Sequence, residues 1–163
     1  VVTKKYKKSA YDWERYSLLA LGSVYGVDIL ADNCEICRER LFNIWDAEYK
    51  KVCKKERNDE TRSSAKFILG LNIVCGNALS LRRVDENQED TEEPIVFSEW
   101  SFPRNDAFIY RKDYTFDELM NGDEKAEKKD GEQLSLFGEE TPDDEGRFIS
   151  EYKCHYRRLG ENG

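Results

Sequence analysis

Between Val24 and Leu41 the chain passes from a short apolar run, Val24 to Val27, to the acid Asp28. Apolar positions three and four residues apart then follow Asp32 and Asn33. This pattern predicts a buried strand, an acid at its carboxyl end and a helix. Upstream, Ser9 is suited to cap a helix from about Ala10 to Leu21, with Trp13, Tyr16, Leu19 and Ala20 on its inward face. Downstream, Cys34, Cys37, Leu41, Ile44, Trp45 and Val52 form one apolar stripe. A second short helix is expected from Arg62 to Leu69, started at Thr61 and ended by Gly70.

A second strand, Leu71 to Cys75, also stops at a small and a polar residue, Gly76 and Asn77, before Ala78 and Leu79. If both strands run parallel, Asp28 and Asn77 reach the same sheet edge, where open α/β sheets hold their ligands. An acid there accepts hydrogen bonds from ribose hydroxyls, or else serves only the turn into the next helix.

Beyond Leu81 the pattern weakens. Asp85 to Glu93 holds six acids in nine residues and reads as a solvated loop. Pro94 to Phe97 is apolar, Ser98 to Pro103 is read as an irregular aromatic segment, and Phe108 to Arg111 as an edge strand. Thr115 is placed to cap a short helix from Phe116 to Met120. Residues 121–146 are acidic and poor in apolar residues, the composition of a mobile linker, and Phe148 to Tyr156 is an aromatic tail able to dock as a strand.

Composition narrows the function classes. A net charge of -8 over 163 residues lacks the basic face expected of a protein that holds duplex DNA unaided. Basic runs at Lys4 to Lys8 and at Lys50 to Arg57 read as a solvated helix end and a solvated helix face. Five cysteines, an odd count without the spacing of a secreted scaffold, point to reduced thiols in a cytoplasmic protein. Cys34 and Cys37 share a helix face and read as buried thiols rather than zinc ligands, so no metal is expected. The apolar run ending at Val27 is too short to span a bilayer. A helix leading into a strand implies an earlier strand, which is expected upstream of Val1.

In order, VYGVDILADNCEICRERLF, NIVCGNALSL, PIVFSEWSF and FIYRKDYTFDELM resemble the M-subunit-like DNA adenine methyltransferases of bacterial restriction-modification systems, from Tyr11 to about Met120. The resemblance implies S-adenosylmethionine lying across the strand ends of a Rossmann-like sheet. By the same resemblance Asp28 binds the ribose hydroxyls and Ile29 packs on the adenine ring. Asn77, at a position usually Asp, accepts from the adenine amino group, and the Ala78 amide faces the ring.

The family's glycine-rich turn after its first strand has no counterpart here. Nor has its N-P-P-Y tetrapeptide, because Pro94, Pro103 and Pro142 are isolated. The resemblance therefore implies the adenosine half of a site, without catalytic residues and inactive alone, working with DNA and a restriction or specificity subunit in a larger assembly. QLSLF, with Gln133, Leu134, Leu136 and Phe137, looks like a peptide that docks on the replication sliding clamp.

The expectation is thus an α/β protein with a partial Rossmann-like methyltransferase sheet, flanking helices and a missing opening strand. This domain covers 1–120, the linker 121–146 and a docking tail 147–163. The alternative is a non-catalytic interaction module on the same scaffold.

Overall fold

The computed structural model describes residues 1–121 and 150–161. Helices α1 (Val2–Tyr6), α2 (Ala10–Gly22), α3 (Ala31–Val52) and α4 (Asp59–Asn72) pack together, and strand β1 (Gly26–Asp28) falls between α2 and α3. After α4 come β2 (Ile73–Asn77), β3 (Arg82–Val84), β4 (Asp90–Pro94), β5 (Val96–Ser101) and β6 (Phe108–Thr115). Strand β7 (Ser150–His155) and a 3₁₀ turn (Tyr156–Glu161) complete the described chain. The protein is mixed α/β, with a four-stranded sheet in the order β1-β2-β3-β4 and a three-stranded sheet in the order β5-β6-β7.

β1 runs parallel to β2, with Asp28 opposite Cys75, as the crossover through α3 and α4 requires. The other four strand pairings among the described residues are antiparallel. β2 is buried on both faces: Ile73 joins the main core beneath the helices, and Val74 packs with Ile95 and Phe97 in a second cluster. Burial on two sides accounts for its unbroken apolar run.

Several expected boundaries move, each for a local reason. α4 starts at the cap residue Asn58, whose side chain accepts from the Thr61 amide at 2.8 Å. It also runs through Gly70 to Asn72. The fully buried Asn72 side chain donates to the Gly22 and Ser98 carbonyls at 3.1 and 3.0 Å and accepts from the Ser98 amide at 2.9 Å. One amide thus ties α2 and α4 to β5, and Ser98 to Ser101 lie in a strand rather than an irregular segment. β6 is the centre of its sheet because β7 pairs with its far side. Part of the acidic stretch Asp85 to Glu93 belongs to β4.

Two caps stand as read. Ser9 Oγ accepts from the Asp12 amide, and Thr115 and Glu118 exchange side-chain-to-backbone bonds at the start of the short helix 116–121.

The inward face of α2 differs most from expectation. Ala20 is exposed, whereas Glu14, Ser17 and Leu18 are buried. Glu14 is fully buried and its carboxylate gathers the Tyr49 hydroxyl of α3 (2.7 Å), the Thr61 hydroxyl of α4 (2.8 Å) and the Asn58 amide (3.0 Å). From the 3₁₀ turn it receives the Tyr156 hydroxyl at 3.1 Å and the Arg157 guanidinium at 2.8 Å. Burial alone raises a carboxyl pKa, but the bonds from Arg157, Tyr49 and Thr61 outweigh it and hold Glu14 below its ordinary value. Burial, with the Glu14 charge adding to it, raises the Tyr49 and Tyr156 hydroxyls, which stay protonated as donors.

A depressed folded-state pKa makes the carboxylate stabilising above the unfolded-state value of about 4.3, and that stabilisation is lost as pH falls toward the folded value. Glu14→Gln is expected to cost about 3 kcal/mol at pH 7, the low end for breaking a buried pair because Arg157 keeps some solvent. Urea titrations from pH 7 down to about pH 3 check this: the native chain should lose stability below about pH 4.5, and the variant, already weaker, should lose less.

Candidate functional site

Strands β1 and β2 are neighbours, so Asp28 and Asn77 stand at adjacent strand ends on one sheet edge. The turn after β1 is shaped by Asp28, whose Oδ1 accepts from the Leu30 amide at 2.8 Å. Asn33, in the first turn of α3, donates back to both carboxylate oxygens at 3.3 and 3.2 Å. Leu30 holds the cap position of α3 and offers no side-chain acceptor; Asp28, two residues upstream, fixes the turn by accepting from the Leu30 amide. The Cys34 and Cys75 thiols lie against the carbonyls of Asp28 and Ile29, at 3.7 and 3.4 Å.

Asn77 is more fully engaged. Its Oδ1 accepts from the amides of Leu79 (2.9 Å) and Ser80 (3.4 Å), and its Nδ2 donates to Asp90 on β4 at 3.0 Å. The bend it supports continues to Leu81, which has a φ of 61°. Ala78 is exposed, Ile29 is 41% exposed and Leu79 is 96% exposed. The edge therefore offers one carboxylate, one amide and apolar side chains open to solvent.

A carboxylate has about four acceptor directions, and Asp28 spends Oδ1 on Leu30 and both oxygens on Asn33. Acceptor capacity remains for a diol. Asn77 differs, because its oxygen and its nitrogen are both in use and an adenine amine is accepted only if those bonds rearrange.

Among the described residues, cavities lie elsewhere. One of about 290 Å³ sits between Phe67, Ile109, Arg111 and Tyr152, and one of about 400 Å³ between Arg38, Phe42 and Lys66. A third, of about 710 Å³, is lined by Phe108, His155 and Arg158. Burial lowers the His155 pKa, with the charges of Arg157 and Arg158 acting in the same direction.

Gln133, Leu134, Leu136 and Phe137 lie outside the described residues. Among the described residues no group of three or more His, Cys, Asp or Glu side chains converges as a metal would require. Cys34 is buried, and its thiol pKa is raised, chiefly by that burial. No helix of the described residues is long and apolar enough to cross a membrane.

The polar centre missed in the sequence is Glu14 with Tyr49, Thr61 and Tyr156. Its signal was present, since Glu14 shares its helical phase with Leu18 and Leu21. An acid in that phase implies a buried, bonded carboxylate. Comparison with protein-family models, curated proteins and solved structures gave no match to this chain.

The turn bond from Leu30 to Asp28 has a measurable consequence. Asp28→Ala should cost about 1 kcal/mol in urea unfolding and speed amide exchange at Leu30, whereas Asp28→Asn, which keeps an acceptor, should cost less. Equal losses in the two variants would contradict the turn geometry.

Proposed function

We propose that the chain carries the adenosine-binding half of a DNA adenine methyltransferase of the restriction-modification type, on a partial Rossmann-like sheet. One observation carries this reading: the parallel pairing of β1 and β2, which places Asp28 and Asn77 at adjacent strand ends with the exposed Ile29 beside them. The resemblance of the segments from Tyr11 to Met120 adds to it.

In this reading Asp28 accepts from the ribose hydroxyls, Ile29 covers one face of the adenine and the Ala78 amide meets its edge. Asn77 serves the amino group after releasing its present partners. S-adenosylmethionine, when bound, supplies an activated methyl group. The chain has no N-P-P-Y tetrapeptide, so no catalytic residue is assigned and the chain alone is inactive. DNA and a restriction or specificity subunit complete the assembly in the cytoplasm, and the QLSLF segment is proposed to reach a sliding clamp.

The occupied Asn77 side chain favours a second reading, a non-catalytic interaction module. There the edge is a finished structural turn, and the half-exposed Val24, Tyr25, Ile29 and Leu30 around β1 face a protein partner.

Amide chemical shifts of the chain, followed during titration with S-adenosylhomocysteine to millimolar concentration, separate the two. The methyltransferase reading expects weak, saturable shifts at Asp28, Ile29, Asn77 and Ala78, and a loss of affinity of roughly tenfold or more in Asp28→Ala, from removing a charged acceptor. Shifts that avoid this edge, or that survive the substitution unchanged, refute it.

A further inference from the structure

The two basic runs are far apart in sequence, and the fold brings them together. α1 docks on the other helices: Val2 and Tyr6 pack against the main core, Tyr6 stacks on Tyr16 with ring centroids 4.2 Å apart, and the Trp13 indole donates to Thr3 Oγ1. Thr3 in turn donates to Glu48 near the end of α3, at 3.1 Å. Lys4, Lys5, Lys7 and Lys8 follow within five positions of Thr3, and all are exposed. Lys50, Lys51, Lys54 and Lys55 follow within seven positions of Glu48, and all are exposed. At about 1.5 Å per helical residue, Lys4, Lys5, Lys50 and Lys51 lie within about one helical turn of the Thr3–Glu48 contact along α1 and α3, and Lys7, Lys8, Lys54 and Lys55 follow in the turns that end those helices.

Few anions offset them. Asp46 is held by Arg57 and Arg62, and Glu48 takes the Thr3 hydroxyl, which leaves Glu56 as the unengaged acid of that stretch of chain. No lysine of either quartet is in an ion pair among the described residues. One or two cations at a helix C-terminus are explained by the helix dipole. Eight exposed lysines without a carboxylate partner, gathered around one contact in a chain with net charge -8, are not.

We propose that this end of the molecule, built from α1 and the end of α3, is a contact surface for the phosphate backbone of duplex DNA, without sequence preference. Flexible, strongly hydrated point charges suit phosphates whose register is not fixed. The surface is remote in sequence from Asp28 and Asn77, and the inference does not depend on the cofactor reading.

The test is fluorescence anisotropy of a fluorescein-labelled duplex of about 20 base pairs, with the full chain, from about 50 to about 200 mM NaCl. With four or five lysines on phosphates, the plot of log affinity against log salt should have a slope of about -4, a loss of roughly a hundredfold or more across that range. Changing either quartet to Gln should weaken binding about tenfold and reduce the slope by about 2, while changing it to Arg should preserve both. A control with the same charge change elsewhere, Lys66, Arg83, Arg104 and Lys153 to Gln, should stay within about twofold.

The proposal is overturned if the native chain shows no salt-dependent duplex binding, if only one quartet matters, or if the control weakens binding as much. It is also overturned if the chain binds phosphatidylserine-containing vesicles and not the duplex.

Discussion

A single carboxylate holds the helical layer in register. Glu14 is taken out of water by three helices and a 3₁₀ turn, and it remains ionised only because hydroxyls, an amide and a guanidinium converge on it. The donors come from three separate parts of the chain, Tyr49 in α3, Asn58 and Thr61 at the start of α4, and Tyr156 and Arg157, which lie more than 140 positions away in sequence. An apolar contact tolerates sliding, whereas a buried charge missing one donor does not. The arrangement therefore specifies where α3, α4 and the C-terminal turn meet α2. Through the crossover it also sets where β1 lies against β2.

That placement creates the candidate site. The strand ends meet because α3 and α4 return the chain in the same direction, and the polar residue at each end then shapes its own turn. Asp28 keeps acceptor capacity after doing so, and Asn77 does not. The two halves of the edge are therefore unequally prepared for a ligand, with acceptor capacity left at Asp28 and the Asn77 amide engaged by Leu79, Ser80 and Asp90. Gly76, just before Asn77, is needed for the close packing beneath this edge, since a Cβ there would come within 2.6 Å of the Ile95 side chain and 3.0 Å of the Arg82 carbonyl.

Local signals in the sequence were legible where local chemistry decides the structure. The caps at Ser9 and Thr115 are short-range features and were readable. So was the strand, acid, helix order around Asp28. The stripe of α3 was read only in part: Cys34 and Trp45 are buried, but Ile44 is 67% exposed, and Phe42 and Tyr49 take inward positions the stripe did not include. The misreadings come from long-range partners. The inward face of α2 was assigned to apolar residues, yet Glu14 and Ser17 take inward positions because Tyr49 and Trp45 bond to them across the core. Gly70 looked like a helix end, but Asn72 continues α4 because its side chain has three bonds waiting in α2 and β5. β6 looked like an edge until β7, about 40 residues later, paired with it. The meeting of the two lysine quartets was equally invisible, since it rests on the Thr3–Glu48 contact.

The central claim is that the Glu14 cluster makes α2, α4 and the 3₁₀ turn one cooperative unit. Native-state amide hydrogen exchange in low urea tests it most directly, because it reads the opening free energy of each element separately. The account predicts that amides of Leu18, Ile68 and Leu159 open with one free energy and one urea dependence. Exchange at Leu159 through a much smaller opening, with α2 and α4 still protected, would contradict it.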